Sequence, residues 1–174
     1  GEPVKVLSEL LPLLPVQLLD PRTTPLVSGS PADRRRFLDW GLFHVEPRFH
    51  AHWRTYQRAL DQRNAALRAG SPPLMLVAWE QAMIEHGLVL NELRSTYIEH
   101  LLPLIRPCLD KLDCSGELEC RYQPGWPREK SLEEALVSSR SRDRAQGFSS
   151  IGPHRADLLI RVDGHAAFQQ MSRG

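Results

Sequence analysis

The sequence predicts a mixed, predominantly α fold, in which a long antiparallel helical hairpin has short flanking β-strands and a C-terminal β-hairpin. Two observations predict the helical hairpin: two stretches carry apolar residues at steps of three and four, and a turn rich in Gly and Pro at 70–73 separates them. A third predicts the β-hairpin, because Asp163-Gly164 lies between two apolar runs and this dipeptide favours a tight two-residue turn.

Length and charge set limits on the class of protein. The chain has 174 residues and a net charge of +1, enough for one domain or one domain with a piece of another, and this charge alone indicates no nucleic-acid partner. Arginine dominates the 22 basic residues, and its planar fork suits carboxylate and phosphate. The cysteines, Cys108, Cys114 and Cys120, have neither zinc spacing nor an even number, which predicts reduced thiols in a cytoplasmic protein. No run approaches the ~20 apolar residues of a membrane span.

The two ends of the chain predict an internal segment of a longer protein. The sequence begins at Gly1 without a Met and stops at Gly174 directly after a predicted strand. Near the start, the apolar pattern predicts a short helix over 5–13 and a buried strand over 15–19, which a turn and a loop follow.

The first long helix is predicted to begin at Pro31 and to end near Val45. Ser30 suits the N-cap, and Asp33 lies where the carboxylate of a capping box reaches back to it. The following apolar residues are too dense for one exposed stripe and predict a buried helix; they are Phe37, Leu38, Trp40, Leu42, Phe43 and Val45. Three consecutive arginines precede them: Arg34, Arg35 and Arg36. These arginines are either solvated, paired with carboxylates of the chain, or available to contact a binding partner.

The two arms of the helical hairpin follow. The first arm begins at Pro47, and its apolar face is Phe49, Trp53, Tyr56, Leu60 and Leu67. The second arm covers about 74–102, and its face is Leu76, Trp79, Met83, His86, Leu90, Leu93 and Tyr97. His86 is the polar member of this face, which predicts a hydrogen-bonded structural residue. Pro103 and Pro107 are expected to end or kink the second arm.

The last third of the chain changes character. Apolar and polar residues alternate near 117–123, which predicts a short strand. Ser131 with Glu134 predicts a capping box at the start of an amphipathic helix. Leu132, Ala135, Leu136 and Ser139 share one side of this helix, and Gly147 ends it. The β-hairpin then covers 157–168.

Two segments of the sequence are candidate functional sites. The first is the turn before the β-hairpin, which is either a plain turn or a site that presents His154 and Arg155 together. The second is the run Ser172-Arg173-Gly174, whose backbone N–H groups would bind an anion if a helix followed. The sequence contains neither a Gly-rich phosphate loop with Lys and Ser/Thr nor a nucleophile elbow, and His50 and His52 point apart on a helix and cannot share a metal.

A set of longer motifs closely resembles the RecF family of bacterial DNA replication and repair proteins. They are Gly29-Ser-Pro-x-x-Arg-Arg-x-Phe-Leu-Asp39, Leu42-Phe-His-Val-Glu-Pro-x-Phe49, Trp53-x-x-Tyr-x-x-Ala-Leu60, Gln62-Arg-Asn-x-x-Leu67, Tyr122-x-x-Gly-Trp126, Gly152-Pro-His-Arg-x-Asp-Leu158 and Ser172-Arg-Gly174. The resemblance covers essentially the whole chain.

The resemblance implies the middle of an ABC-type ATPase head. The end of the ATPase lobe and a linker would occupy 1–29, a helical lever-arm domain 30–146, and the returning β-hairpin 147–174. Ser172, Arg173 and Gly174 would begin the signature motif, which completes the ATP site of a partner subunit, with His154 and Arg155 as neighbours. The phosphate loop and the acidic Walker B strand would lie outside the chain, so ATP and Mg would bind only to the intact parent.

The resemblance also implies partners. A RecF-type protein would dimerise with ATP, bind DNA at gaps or junctions between single and double strand, and act in the cytoplasm with RecO and RecR to load RecA and support the SOS response. Candidate DNA contacts are Arg34, Arg35, Arg36, Arg54 and Arg58. The alternative is a non-enzymatic helical adaptor that holds protein partners.

Overall fold

The computed structural model of the protein describes residues 25–112 and 116–167, and it is mostly helical with one small sheet. In chain order the elements are α1 Pro25–Ser28, α2 Pro31–Val45, α3 Phe49–Arg68, α4 Pro73–Lys111, β1 Leu118–Gln123, α5 Leu132–Gln146, β2 Asp157–Val162 and β3 His165–Ala166. The predicted fold class is confirmed: α3 and α4 form the long helical hairpin, and the three strands form an antiparallel sheet.

The main core lies between the two arms of the helical hairpin and one face of α5. Most of the predicted apolar faces are buried in it, because residues three and four apart share one side of a helix. Its buried members are Leu42, Phe49, Tyr56, Ala59, Leu60, Met83, Leu90, Leu93, Leu132 and Leu136. His86 is hydrogen-bonded as predicted: its Nδ1 lies 2.9 Å from Nδ1 of His52, across the hairpin.

The start of α2 has the predicted capping box. The Asp33 amide donates to the Ser30 hydroxyl, and the Asp33 carboxylate accepts from the Ser30 amide at 2.9 Å. The expectation that the whole apolar run of α2 is buried is wrong. Leu38 and Leu42 are buried, but Trp40 is 41% exposed and Val45 is 65% exposed. The described neighbours of α2 cover only one side of the helix, so the residues on its other side face solvent.

The fourth helix extends past the point where the sequence predicted a possible end. It continues to Lys111 with Pro103 and Pro107 inside it. Each proline leaves the carbonyl four residues earlier without its helical hydrogen bond. Both prolines lie at exposed positions, so water can reach those carbonyls and the interruption costs less than it would in a core.

The sheet joins the two ends of the last third of the chain. β1 pairs antiparallel with β2, so that Tyr122 lies opposite Leu158, and β2 pairs with β3. The predicted tight turn is present: Asp163 and Gly164 both have positive φ, at 51° and 74°, as a two-residue hairpin turn requires. The inner face of the sheet forms a second core with α2 and α4; its buried members are Leu38, Ile98, Tyr122, Ala156 and Leu158.

The helix α5 has the predicted boundaries and buried side. The Ser131 hydroxyl accepts from the Glu134 amide at 3.1 Å, and the Glu134 carboxylate accepts from the Ser131 amide at 2.8 Å. Leu132, Ala135, Leu136 and Ser139 are buried. Gly147, with φ 74°, ends the helix in the left-handed conformation that favours glycine.

Several predictions lie outside the described residues or remain untested. The helix over 5–13, the strand over 15–19 and the run Ser172-Arg173-Gly174 are outside, and so is the last part of the predicted return strand. The division of the chain at 29/30 and 146/147 stays a prediction. Within 25–112 and 116–167, no helix combines the length and apolarity needed to cross a membrane.

Gly125 lies against the backbone of the turn before β2, where there is no room for a side chain. Its φ is 90°, and a Cβ there would lie 2.3 Å from the carbonyl oxygen of Gly152. We expect Gly125→Ala to lower the free energy of unfolding by about 3 kcal/mol, from the strained φ and the backbone clash together. Gly70→Ala is the matched control, since Gly70 has φ 64° but a Cβ there would meet no described atom within 4 Å; it should cost only ~1 kcal/mol. Equal losses in urea titrations would contradict the close contact.

Candidate functional site

The loop between α5 and β2, which carries the predicted pair His154 and Arg155, is bonded to four helices, α2, α3, α4 and α5. We call residues 148–156 the junction loop. A tight 3-10 turn, Pro153–Arg155, follows Gly152, whose φ of 133° a side chain rarely adopts. A Cβ at Gly152 would also lie 2.5 Å from the Tyr56 hydroxyl. The loop therefore turns sharply against the helical hairpin.

A buried group of charges lies directly behind the junction loop. Arg63, in α3, is fully buried and donates to Glu80 of α4 at 2.9 Å and to Asp143 of α5 at 2.8 Å. Arg140 also pairs with Glu80, so the group holds two guanidiniums and two carboxylates. Because each buried charge has an opposite partner and hydrogen bonds, the cost of removing it from water is offset. This buried charge cluster joins α3, α4 and α5.

The buried charge cluster holds the first residues of the junction loop. Arg63 donates to the Ser149 hydroxyl at 2.7 Å, and the Ser149 amide donates to the side chain of Asn64 at 2.7 Å. The Ser150 amide and hydroxyl both donate to Asp143, at 3.1 and 2.5 Å. The loop backbone here is therefore bonded to side chains of α3 and α5.

His154 points into the helical hairpin. Its Nδ1 lies 2.7 Å from the Tyr56 hydroxyl and its Nε2 lies 2.9 Å from the Ser149 carbonyl oxygen. A neutral ring satisfies both contacts, with Nε2–H donating to the carbonyl and Nδ1 accepting from the hydroxyl. Burial and, to a smaller extent, the nearby positive charges of Arg155 and Arg35 together lower the pKa of His154 to about 4, while the hydrogen bond to Ser149 opposes this shift. Burial also raises the pKa of Tyr56, which keeps its hydroxyl a donor.

Arg155 points the other way, to the surface. Its guanidinium donates to the same Ser149 carbonyl oxygen at 3.2 Å and lies over the ring of Phe148, 5.2 Å from the ring centre. The turn therefore does not present His154 and Arg155 to a common ligand position: one ring is held inside and one guanidinium outside. A role for either residue beside an ATP site stays a prediction.

Three further arginines fix the end of the loop and the start of β2. Arg94, buried in α4, donates to the Pro153 carbonyl oxygen at 2.8 Å and forms a two-bond pair with Asp39 at 2.8 and 2.9 Å. Arg35 donates to the Ala156 carbonyl oxygen at 2.7 Å, and Arg34 forms a two-bond pair with Asp157 at 2.7 and 3.0 Å. Burial raises the pKa of Asp39, while Arg94 opposes this shift.

The five arginines predicted to contact DNA thus have different surroundings. Arg34 and Arg35 donate to groups of the chain itself, and Arg35 does not pair with Asp39, which is bonded to Arg94. The Arg36 side chain is 79% exposed and pairs with Asp33 at 3.3 Å. Arg54 and Arg58 lie exposed on α3. Contact of any of the five with DNA stays a prediction.

Sequence reasoning missed the buried charges, although the spacing held a signal. The apolar face of the first arm has a step of seven between Leu60 and Leu67, and Arg63 occupies the missing position on the buried side. Glu80 and Arg94 directly follow residues of the apolar face of the second arm, and neither was identified as buried from the sequence. Within the described parts of the chain, no cluster of three or more His, Cys, Asp or Glu side chains could hold a metal ion.

The architecture is similar to that of solved RecF structures. The structure of the recombination mediator protein RecF-ATPrS in the RecFOR pathway matches 89% of this chain and 46% of that chain, with a TM-score of 0.80 and 21% sequence identity. The structure of RecF-ATP in the same pathway matches with a TM-score of 0.78 and 20% identity. These likenesses show that the chain has the fold of part of the RecF structures.

Sequence comparison names the particular relatives. DNA replication and repair protein RecF from Thioalkalivibrio sulfidiphilus is 47% identical over 174 residues, and the proteins of the same name from Xanthomonas oryzae pv. oryzae and Pseudomonas putida are 46% and 40% identical. Each match covers 100% of this chain and 48 or 49% of the relative. No protein-family model matches. The chain is homologous over its whole length to RecF and spans about half the length of these relatives.

The buried state of His154 predicts a pH dependence of stability. In the unfolded chain a histidine takes up its proton near pH 6.5, whereas the folded chain resists this until about pH 4. The unfolded state thus binds more protons below pH 6.5, and stability falls as the pH falls. Between pH 7 and pH 5 we expect a loss of about 2 kcal/mol from this residue.

Urea titrations at the two pH values measure this loss. The variant His154→Gln should lose about 2 kcal/mol less than the unmodified chain between them. His100→Gln, at an exposed position of α4, should keep the full pH dependence. If His154→Gln keeps it as well, the imidazole is not buried in the neutral form.

Proposed function

We propose that this chain is part of a RecF-type, ATP-dependent DNA-binding protein of recombinational repair and replication of gapped DNA. The observation that carries the proposal is the 40 to 47% identity to RecF proteins over the full length of the chain. Acting with RecO and RecR, the intact protein would load RecA and support the SOS response in the cytoplasm. It would do so as a dimer held together by ATP.

The ATP part of the proposal concerns Ser172, Arg173 and Gly174. In the intact protein these residues would begin a signature motif that contacts ATP and Mg on the partner subunit, since a serine hydroxyl and successive backbone N–H groups suit phosphate oxygens. The remainder of the parent would supply the phosphate-binding loop. His154 and Arg155 would lie beside this composite site. The sequence itself carries no phosphate-binding loop, so the chain alone would not hydrolyse ATP.

The contacts of the junction loop support a mechanical link in this proposal. The loop is bonded to α3, α4 and α5 and leads directly into β2 and β3. Residues 167–174 follow β3 in the sequence. A rotation of the helical hairpin would therefore carry the β-hairpin, and the signature run after it, along with it. ATP binding across the dimer and the position of the helical hairpin would be coupled in both directions.

A substitution of Ser172 in the full-length protein tests the proposal that this residue contacts ATP on the partner subunit. Ser172→Arg places a large cation where the partner's ATP would approach, so ATP-dependent dimerisation and hydrolysis should be lost. Binding of ATP to the monomer should change less than twofold, because the other phosphate contacts lie on the same subunit. Sedimentation with a slowly hydrolysed ATP analogue measures the dimer. Arg106→Ala, an exposed change on α4, is the control and should dimerise normally.

A Ser172→Arg protein that still dimerises with normal affinity would contradict the signature assignment. If the unmodified full-length protein neither binds ATP nor dimerises with it, the ATPase proposal as a whole fails. A non-enzymatic helical adaptor would then be the better account.

The DNA part is tested on the exposed arginines of α3. Arg54 and Arg58 lie one turn apart and are exposed, so a phosphate backbone can reach both. If both touch phosphate of a duplex, Arg54→Ala with Arg58→Ala should reduce the slope of log affinity against log salt by about 1.8. Arg34→Ala should instead destabilise the fold, because it leaves Asp157 without its partner. An unchanged slope in the double variant would remove Arg54 and Arg58 from the DNA contacts.

A further inference from the structure

A basic groove lies beside the junction loop and includes Arg155 of that loop in its lining. Its volume is about 520 Å³, within the usual size of ligand pockets. Its lining comes from the end of β1, the turn after β1 and the junction loop; the residues are Arg121, Gln123, Pro124, Gly125, Trp126, Pro127, Arg128, Glu129 and Arg155. We call it the β1 groove.

The arginines of the β1 groove are not neutralised by the rest of the described chain. Arg128 donates to the Tyr122 carbonyl oxygen and Arg155 to that of Ser149, so carbonyls orient both without cancelling their charge. Arg121 is exposed, and no carboxylate within 25–112 and 116–167 pairs with any of the three. By contrast, two-bond carboxylate pairs hold Arg34 and Arg94. The groove therefore carries three positive charges against one lining carboxylate, Glu129.

The floor of the β1 groove is rigid and partly aromatic. Trp126 is half-buried, packs on the main core and lines the groove. The turn that carries it is locked to the junction loop, because the Gly152 amide donates to the Gly125 carbonyl oxygen at 3.2 Å. The Phe148 ring, 41% exposed, lies under the guanidinium of Arg155. Two guanidiniums, those of Arg128 and Arg155, are thus oriented by carbonyl oxygens beside the ring of Trp126.

We propose that the β1 groove binds single-stranded DNA, with Arg121, Arg128 and Arg155 on successive phosphates and a base against Trp126. Guanidiniums suit phosphate oxygens, and aromatic rings stack on bases without regard to their identity. A duplex hides its base faces in its own stack, so the aromatic floor favours a single strand over a duplex. The inference rests on the proposed DNA-binding function and assigns one surface to one form of DNA.

Salt-dependent binding of a labelled oligo-dT of twelve nucleotides to the 174-residue chain tests the groove. Within 25–112 and 116–167 no hydrogen bond or ion pair holds the Arg121 side chain, so Arg121→Ala is the sharpest variant. It should weaken binding several-fold and reduce the slope of log affinity against log salt by about 0.7, the value for one phosphate contact of a single strand. Arg68→Ala, an exposed arginine in the last turn of α3 and outside the groove, is the matched control and should leave both quantities unchanged.

Two competitors test the role of the bases. An abasic oligonucleotide with the same number of phosphates should bind at least fivefold more weakly than oligo-dT, since it cannot stack on Trp126. A polyglutamate peptide of equal charge should compete poorly. Equal binding of the abasic strand, or equal competition by the peptide, would overturn the assignment and indicate a site for any anionic chain.

The outcomes separate this inference from the proposed function. If oligo-dT binds and Arg121→Ala matches Arg68→Ala in affinity and slope, the groove assignment is wrong while DNA binding by the chain stands. If neither oligo-dT nor duplex DNA binds at low salt, the DNA part of the proposed function fails together with the groove.

Discussion

The structure depends on the buried charge cluster around Arg63. A fully buried guanidinium is tolerated only with close partners, and here Glu80 and Asp143 come from two other helices. The cluster therefore holds three helices in one mutual arrangement, since a shift of any helix would leave a charge unpaired in the core. A purely apolar contact would permit small sliding motions at lower cost. The fixed arrangement gives the junction loop a defined surface to bind.

The junction loop positions the sheet relative to these three helices. Its backbone bonds to α3 and α5 at Ser149 and Ser150 and to α4 at Pro153, and Gly125 joins it to the turn after β1. The loop therefore connects the helical hairpin to both β1 and β2, so that the position of the hairpin fixes that of the two strands. In the proposed ATPase, the same contacts would relate the helical hairpin, the β1 groove and the run at Ser172.

The sequence predicted the elements better than the contacts between them. Capping residues such as Ser30 and Ser131, the Asp163-Gly164 turn and the three- and four-residue spacing are local signals, and the helices and the hairpin formed where these signals lie. The predicted end of the second arm near residue 102 is wrong, because an exposed helix tolerates proline better than a buried one. Arg63, Arg94 and Arg34 each pair with a carboxylate that is distant in the sequence, 80, 55 and 123 residues away respectively. No local spacing encodes such partners. Local pattern can therefore place Arg63 on the buried side of its helix, but it cannot identify the partners of a buried arginine.

Amide hydrogen exchange at Ser149 and Ser150 tests the central claim that the junction loop is fixed to the helices. Although these residues lie in a loop, their amides donate to Asn64 and Asp143 behind a buried charge cluster. We expect both amides to exchange only through global unfolding, with the same free energy as core amides of α4 such as that of Leu90. Exchange as fast as in an exposed loop, with the core of α4 still protected, would contradict the claim and separate the sheet from the helical hairpin.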